Sequence, residues 1–258
     1  MKELLLVLTK WFYVRREVMK LKVIIISRKI IILALIFMAL IGFYRMSSTH
    51  AEKRWKEEIF LPGLEGKTVM IDPGHGGADP GAVKDGYTEA KLNMDLALAL
   101  KKELEKNGVR VKMTRNGDEG LVPDKKMSYS EQWLLLHKRK IFAETEKAHI
   151  LVSIHTNSHK DSSVSGSIVF YTDEISKSLA ESVQSRLNSL DMRDRAAEQR
   201  NFAVIKGNVM PSVLIEAGFI TSKHDRDILT SNSEAVARLI YEGLHIFAEN
   251  LTPPQKVE

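Results

Sequence analysis

Four side chains in this 258-residue sequence have the types and the settings for hydrolytic chemistry: His75, Glu89, His155 and Glu216. Two imidazole nitrogens and a carboxylate oxygen make a donor set for zinc with one position left for water, and a further carboxylate beside it can take and return protons. The first two of three motifs run from apolar residues into polar ones, Val69-Met70-Ile71 into Asp72-Pro73-Gly74-His75-Gly76-Gly77 and Ile150-Leu151-Val152-Ser153-Ile154 into His155-Thr156-Asn157. The third runs from Val213-Leu214-Ile215 into Glu216-Ala217-Gly218. Each apolar run reads as a buried strand. In an open α/β sheet the ligand crevice lies outside the carboxyl ends of the strands, so three such endings deliver their polar groups to one place.

Each residue also has a plainer reading. Glu89 opens an amphipathic segment, where a carboxylate complements the helix dipole by a few tenths to about 1 kcal/mol without touching any metal. A lone histidine in a turn is usually a surface residue. His155 differs because it ends a strongly apolar strand, where an unpaired ring is costly to bury. The glycines around His75 let backbone approach a ligand closely, and the Gly-Lys-Ser/Thr ending of a phosphate-binding loop is missing. His137, His149, His159, His224 and His245 lack the strand-end setting. Arg193, Arg195 and Arg200 read as a solvated face that could also meet carboxylates.

The elements that must position these groups follow from periodicity. Glu89 to Lys106 predicts a helix with Leu92, Leu96, Leu100 and Leu104 on one face and Asn107-Gly108 as its stop. Val109–Thr114 reads as a strand, 116–130 as a polar loop, Trp133–Lys147 as a helix, Ser167–Tyr171 as a strand and Ser176–Leu190 as a helix. Phe202–Ile205 reads as a short strand and Ser233–Asn250 as the last helix. The expected fold class is α/β, a single domain with a mainly parallel twisted sheet and helices on both faces, preceded by an N-terminal membrane segment.

Residues 1–29 form a basic leader expected on the cytoplasmic side, including Lys10, Arg15, Arg16, Lys20, Lys22, Arg28 and Lys29, and residues 30–44 carry no charge. The uncharged run is shorter than the roughly 20 residues of a spanning helix and suits a signal-peptide core or a signal anchor. By the positive-inside rule the remainder is extracytoplasmic. Thr49-His50-Ala51 is a candidate cleavage site. Residues 45–66 read as a linker, 67–251 as the catalytic domain and 252–258 as a tail. The net charge of +5 gathers in the leader and no basic-aromatic strip follows it, so no nucleic-acid partner is expected. With no cysteine, disulfides, thiol catalysis and Cys-bound zinc are excluded.

Taken together, VMIDPGHGGADPGAV, EAKLNMDLALALKKELEKNGVRVKMTR, LVSIHTNS and MPSVLIEAGFITSKHD resemble the zinc-dependent N-acetylmuramoyl-L-alanine amidases of the amidase-3 family, in the family's order and over nearly all of residues 67–250. The resemblance implies that His75, Glu89 and His155 bind Zn²⁺ and that Glu216 is the catalytic glutamate. It implies hydrolysis of the amide between the lactyl group of N-acetylmuramic acid and L-alanine in peptidoglycan. Ala90 and Thr156 depart from residues common in relatives, at positions without chemistry. A short Thr172-Asp173-Glu174-Ile175 connection stands where some relatives insert an inhibitory helix, and no wall-binding repeat domain is expected.

A minimal domain behind a membrane segment is most similar to the germination-specific amidases of spore-forming bacteria. That implies action in the spore cortex during muramic δ-lactam formation, with a deacetylase acting next. Two rivals stay open: a metal-free peptidoglycan glycosidase using two of Asp72, Glu89 and Glu216, and a non-catalytic peptidoglycan-binding module. Asp72 and Asn157 are the sequence's candidates for orienting the histidine rings.

Overall fold

The structure, a computed structural model, describes residues 32–42, 63–117 and 129–251. The chain divides into two units, Met1–Ala51 and Glu52–Glu258. In the first, residues 32–42 form a helix whose side chains are all exposed, including Leu33, Phe37 and Leu40. Among the described residues no helix is long and apolar enough to cross a membrane. The remainder of the 30–44 segment, the basic leader, Thr49-His50-Ala51 and the tail at 252–258 lie outside the described residues.

The second unit is a six-stranded sheet with helices. Its elements are β1 (Thr68–Pro73), β2 (Val83–Lys84), β3 (Tyr87–Thr88), α1 (Glu89–Lys106), β4 (Arg110–Met113), α2 (Tyr129–Thr145) and β5 (Ile150–Asn157). They continue with β6 (Ile168–Tyr171), α3 (Glu174–Leu187), β7 (Glu198–Gln199), β8 (Ser212–Phe219), α4 (Lys223–Ser231) and α5 (Ser233–Asn250). The sheet order is β4-β1-β5-β8-β6-β7, with β2 and β3 forming a separate hairpin. The three motif strands β1, β5 and β8 are therefore adjacent and central. They are parallel, so their polar endings emerge on one edge. Because they are covered on both faces, they read as continuous apolar runs; Val69, Met70, Ile71, Ile150, Leu151, Val152, Val213 and Ile215 are all fully buried.

The sheet is mixed. β6 runs antiparallel to β8, and β7 follows β6 in parallel. The reason lies in the connection: no helix separates β5 from β6, so the chain has no crossover to carry it back to the far end of the sheet. It enters β6 from the edge where β5 left off. The turn from β1 to β4 and the return from β4 to β5 run in opposite directions across the sheet, so right-handed crossovers put α1 and α2 on opposite faces.

Phe202–Ile205 is a turn, not a strand: the Ile205 N–H donates to the Phe202 carbonyl, and the seventh strand is Glu198–Gln199, pairing with Phe170 and Tyr171. The apolar residues that suggested a strand are buried through that turn, with Val204 and Ile205 in the core and the Phe202 ring 5.1 Å from Phe170. The domain also begins before Lys67. Leu64 is buried, and the Gly63 N–H donates to the Ala248 carbonyl.

Helices α1 and α3 both pack on α5. At α3–α5 the backbones approach so closely that a Cβ on Gly243 would lie 2.5 Å from Val183 Cα. Gly243→Ala should therefore lower stability by about 1–2 kcal/mol, because overpacking against backbone outweighs the roughly 1 kcal/mol that alanine gains in a helix. Urea unfolding of the variant beside the unaltered protein measures it.

Candidate active site

Helix α1 begins at Glu89 because Thr88 caps it, its Oγ1 accepting from the Lys91 N–H at 3.3 Å. This cap fixes Glu89 at the first helical position, facing the ends of β1 and β5. Glu89 Oε1 lies 3.0 Å from His75 Nε2 and 3.0 Å from His155 Nδ1. The same oxygen accepts from the Thr156 N–H at 3.3 Å, while Oε2 accepts from the Ala82 N–H at 3.1 Å. One ligand atom from each of His75, Glu89 and His155 falls within 4.8 Å of the others. The structure thus brings together all three residues that the sequence assigned to a metal.

Close approach of backbone makes this convergence possible. A Cβ on Gly74 would sit 2.3 Å from the His155 ring, and one on Gly81, whose φ is +64°, would sit 2.7 Å from Glu89 Oε2. His75 itself holds a left-handed backbone, φ 61°, unusual for a residue other than glycine. Its conformation is pinned from below by two buried guanidinium groups. Arg115 donates to the carbonyls of Pro73, Gly74 and Ala90. Arg139 donates to the carbonyls of Pro73 and His75 and to Asp72 Oδ1, the last at 2.7 Å.

Asp72 does not orient a histidine ring. It accepts from Arg139, Thr114 and Ser153, so it holds the β1 ending in place from beneath. Burial pushes its carboxyl up, but Arg139 and the two hydroxyls outweigh burial and hold it below the ordinary 3.8. The residue that orients His75 is Asp79, whose Oδ2 is 2.8 Å from Nδ1. Sequence reading missed Asp79, although its place four residues after His75, before Pro80-Gly81, marks a turn that folds back on the ring. Nor does the half-buried Asn157 orient a ring: its Oδ1 accepts from the Ser158 N–H.

Glu216 pairs in register with His155 across β5 and β8. It stands beside the three converging residues without bonding to them: Glu216 Oε2 is buried without a hydrogen-bond partner among the described residues. Burial, reinforced by the charge of Glu89 and opposed by both histidines, raises its carboxyl from 4.5 to about 7. At His75, burial acts downward, but hydrogen bonds and charge from Glu89 and Asp79 raise the ring to about 9. Glu89 moves the other way, held far below the ordinary range by the two rings despite its burial.

The arginine cluster stays outside. Arg193 and Arg200 are exposed, and Arg195 donates to the Ser165 carbonyl.

Residues 69–245 match the N-acetylmuramoyl-L-alanine amidase family. The chain belongs to that family. It is 31% identical over 232 residues to the germination-specific N-acetylmuramoyl-L-alanine amidase of Bacillus subtilis, an alignment covering 87% of this chain and 96% of that protein. Another Bacillus subtilis protein, YqiI, is 38% identical over 187 residues, 70% of this chain and 84% of its own length. Among solved structures, the CwlD amidase of Clostridioides difficile in complex with the GerS lipoprotein is similar with a TM-score of 0.65 and 31% identity, covering 70% of this chain and 98% of that one. The family's fold, a single α/β domain, is the one described above.

A titration follows for this amidase domain without metal. Glu216 lies above its ordinary 4.5 when folded, so between about pH 4.5 and 7 the folded protein holds a proton that the unfolded chain has lost. Stability falls as pH rises through that window and levels off above it. Metal-free Glu216→Gln should accordingly be more stable than the metal-free parent at pH 8, by about 3 kcal/mol, and equal to it at pH 4. Paired denaturation curves at the two pH values check this.

Proposed function

We propose that this chain is a zinc-dependent N-acetylmuramoyl-L-alanine amidase in which His75, Glu89 and His155 hold the metal and Glu216 moves the protons. The observation that carries the reading is the convergence of the three donor atoms in a fold that also places, in register with His155, a half-buried Glu216 whose Oε2 is buried and unpartnered among the described residues. The donor set suits zinc. Ligand atoms around a tetrahedral zinc, with bonds of about 2.0–2.1 Å, stand about 3.3 Å apart, and the two histidine nitrogens each lie 3.0 Å from Glu89 Oε1. Asp79 holds the Nδ1 proton of His75 and so turns the Nε2 lone pair toward the other two donors.

When bound, zinc would supply a Lewis acid that lowers the pKa of coordinated water toward about 7. Glu216 accepts the proton of the attacking water. It then returns that proton to the alanine nitrogen as the amide breaks, which turns a poor leaving group into a neutral amine. Burial that favours the neutral form of this carboxyl suits it to holding a proton between the two transfers. The products are a muramic acid with a free lactyl carboxylate and a peptide with a new amino terminus.

The similarity to the germination-specific amidase over nearly its whole length supports a role in the spore cortex, ahead of a deacetylase in muramic δ-lactam formation. Residues 30–44 would act as a signal segment or anchor, and a linker would run from residue 45 to the extracytoplasmic catalytic domain, which includes the buried Leu64 and extends to residue 251. The Clostridioides difficile relative binds a lipoprotein, and a membrane-proximal protein partner fits the same layout here.

Product chemistry tests the reading. Incubating zinc-loaded protein with purified peptidoglycan should release peptides with N-terminal L-alanine and leave the number of glycan reducing ends unchanged. New reducing ends that persist in chelator would overturn it in favour of a glycosidase.

A further inference from the structure

Beside the metal-binding cluster a cleft of about 360 Å³ is lined by Ala82, Val83, Ser158, His159, Ile220 and Thr221, with Lys160 at its rim. Its walls come from three segments that the site already uses. Ala82 is the residue whose N–H holds Glu89, Ser158 follows the β5 ending that carries His155, and Ile220 and Thr221 follow the β8 ending that carries Glu216. The cleft is thus continuous in chain with each catalytic segment.

It is also a built feature. The Ile220 N–H donates to the Asn157 carbonyl at 2.7 Å and the His159 N–H to Thr221 Oγ1 at 3.1 Å, which ties the loops after β5 and β8 together. The opposite wall, the β2–β3 hairpin, is fastened by Arg226. Its buried guanidinium donates to Asp85 Oδ2 at 2.7 Å and to the Ile220 carbonyl, and it lies 5.7 Å from the Tyr87 ring centroid.

The chemistry of the rim is cationic. The exposed Lys160 ammonium forms no ion pair or hydrogen bond among the described residues, whereas Lys84 and Arg226 both face Asp85, at 3.5 and 2.7 Å. His159 Nδ1 is engaged by its own turn, 3.1 Å from the Asp161 N–H and 3.3 Å from the Asp161 carbonyl oxygen, and the side chains of Ser158 and Thr221 add hydroxyls to the lining. Of the two arms joined at the scissile amide, the N-acetylated glycan is neutral because its lactyl carboxyl is tied up in that amide. The peptide arm carries free carboxylates on its acidic residues. A cleft with donors and an unpaired ammonium suits the peptide arm.

Building on the amidase reading, we propose that this cleft seats the stem peptide and that Lys160 is a specificity-determining residue that pairs with a stem carboxylate. An exposed ion pair is modest and screened by salt. The expected signature is therefore a preference of about three- to fivefold in kcat/KM for stems with a free carboxylate over stems amidated at the same residue, shrinking in high salt.

The test uses zinc-loaded full-length protein and soluble muropeptides amidated at the second or at the third stem residue, which identifies the carboxylate concerned. Lys160→Gln should bring the preference to about one and Lys160→Glu should invert it, while Lys102→Gln on the far end of α1 keeps it. A preference that survives in Lys160→Gln, or none in the parent protein, would overturn the inference. Calorimetry separates this from failure of the amidase reading. Zinc-loaded Glu216→Gln should bind the free acidic stem peptide more tightly than the double variant with Lys160→Gln. Lys160-dependent binding with no turnover of any muropeptide by the parent would sink the amidase reading alone; turnover without Lys160 dependence would sink the subsite alone.

Discussion

Glu216→Gln should lower kcat on peptidoglycan by about 10²–10⁴-fold, the range that a positioned proton carrier contributes, while zinc content stays unchanged. Glutamine keeps the shape and polarity of the side chain but cannot take a proton from water or return one to a leaving nitrogen. None of the three converging donor atoms belongs to Glu216, so the three-donor cluster should survive. The variant also distinguishes lost chemistry from lost folding, because removing a buried carboxylate with a raised pKa stabilises the metal-free protein at pH 8. A loss of turnover accompanied by loss of zinc would instead mean that Glu216 holds the site together.

Asp72→Ala should be the most damaging single change to stability, costing about 3–5 kcal/mol. The Asp72 side chain is 1% exposed and that of Arg139 7%, and removing the carboxylate strands the guanidinium in the interior. Thr114 and Ser153 lose their acceptor as well. Activity should fall with stability, since Arg139 also donates to the carbonyls of Pro73 and His75 and so holds the backbone that presents the His75 ring. Because the folded carboxyl lies below 3.8, its contribution is present at neutral pH and is lost only as pH falls through that low folded value. Denaturant unfolding of the metal-free proteins at pH 7 measures the deficit. Adding Arg139→Met to Asp72→Ala should recover part of it, because an apolar side chain leaves no buried charge unpaired.

Much of this site was legible in the sequence because chemistry and topology coincide in it. Strands buried on both faces must be apolar throughout, so His75, His155 and Glu216 stand out at the points where apolar runs end. The helix from Glu89 to Lys106 was equally plain, with its leucine stripe and its Asn107-Gly108 stop. What geometry added was the meaning of Glu89, whose place at a helix start had an adequate electrostatic explanation until its carboxylate was seen between two imidazoles.

The elements that escaped did so for identifiable reasons. α4 is rich in charge, and its buried residues include Asp225 and Arg226, so apolar periodicity could not reveal it. Its capping signal was nevertheless present: Ser222 with Asp225 three residues on, the Ser222 side chain accepting from the Asp225 N–H. The β2–β3 hairpin is only two residues to a side and exposes Val83 and Tyr87, leaving Asp85-Gly86 as its one local signal. Phe202–Ile205 misled because burial, not strand pairing, selects its apolar residues. The direction of β6 depends on the missing crossover after β5, a feature of the connection that the strand's own residues do not encode.

The most direct test of the central claim is zinc titration of the metal-stripped protein, following occupancy and release of L-alanine-terminated peptide together. The account predicts one zinc per chain, no turnover in the stripped protein, and activity that rises in proportion to occupancy; His75→Ala and His155→Ala should abolish both. Full activity in the stripped protein, or binding that is indifferent to His75 and His155, would contradict it.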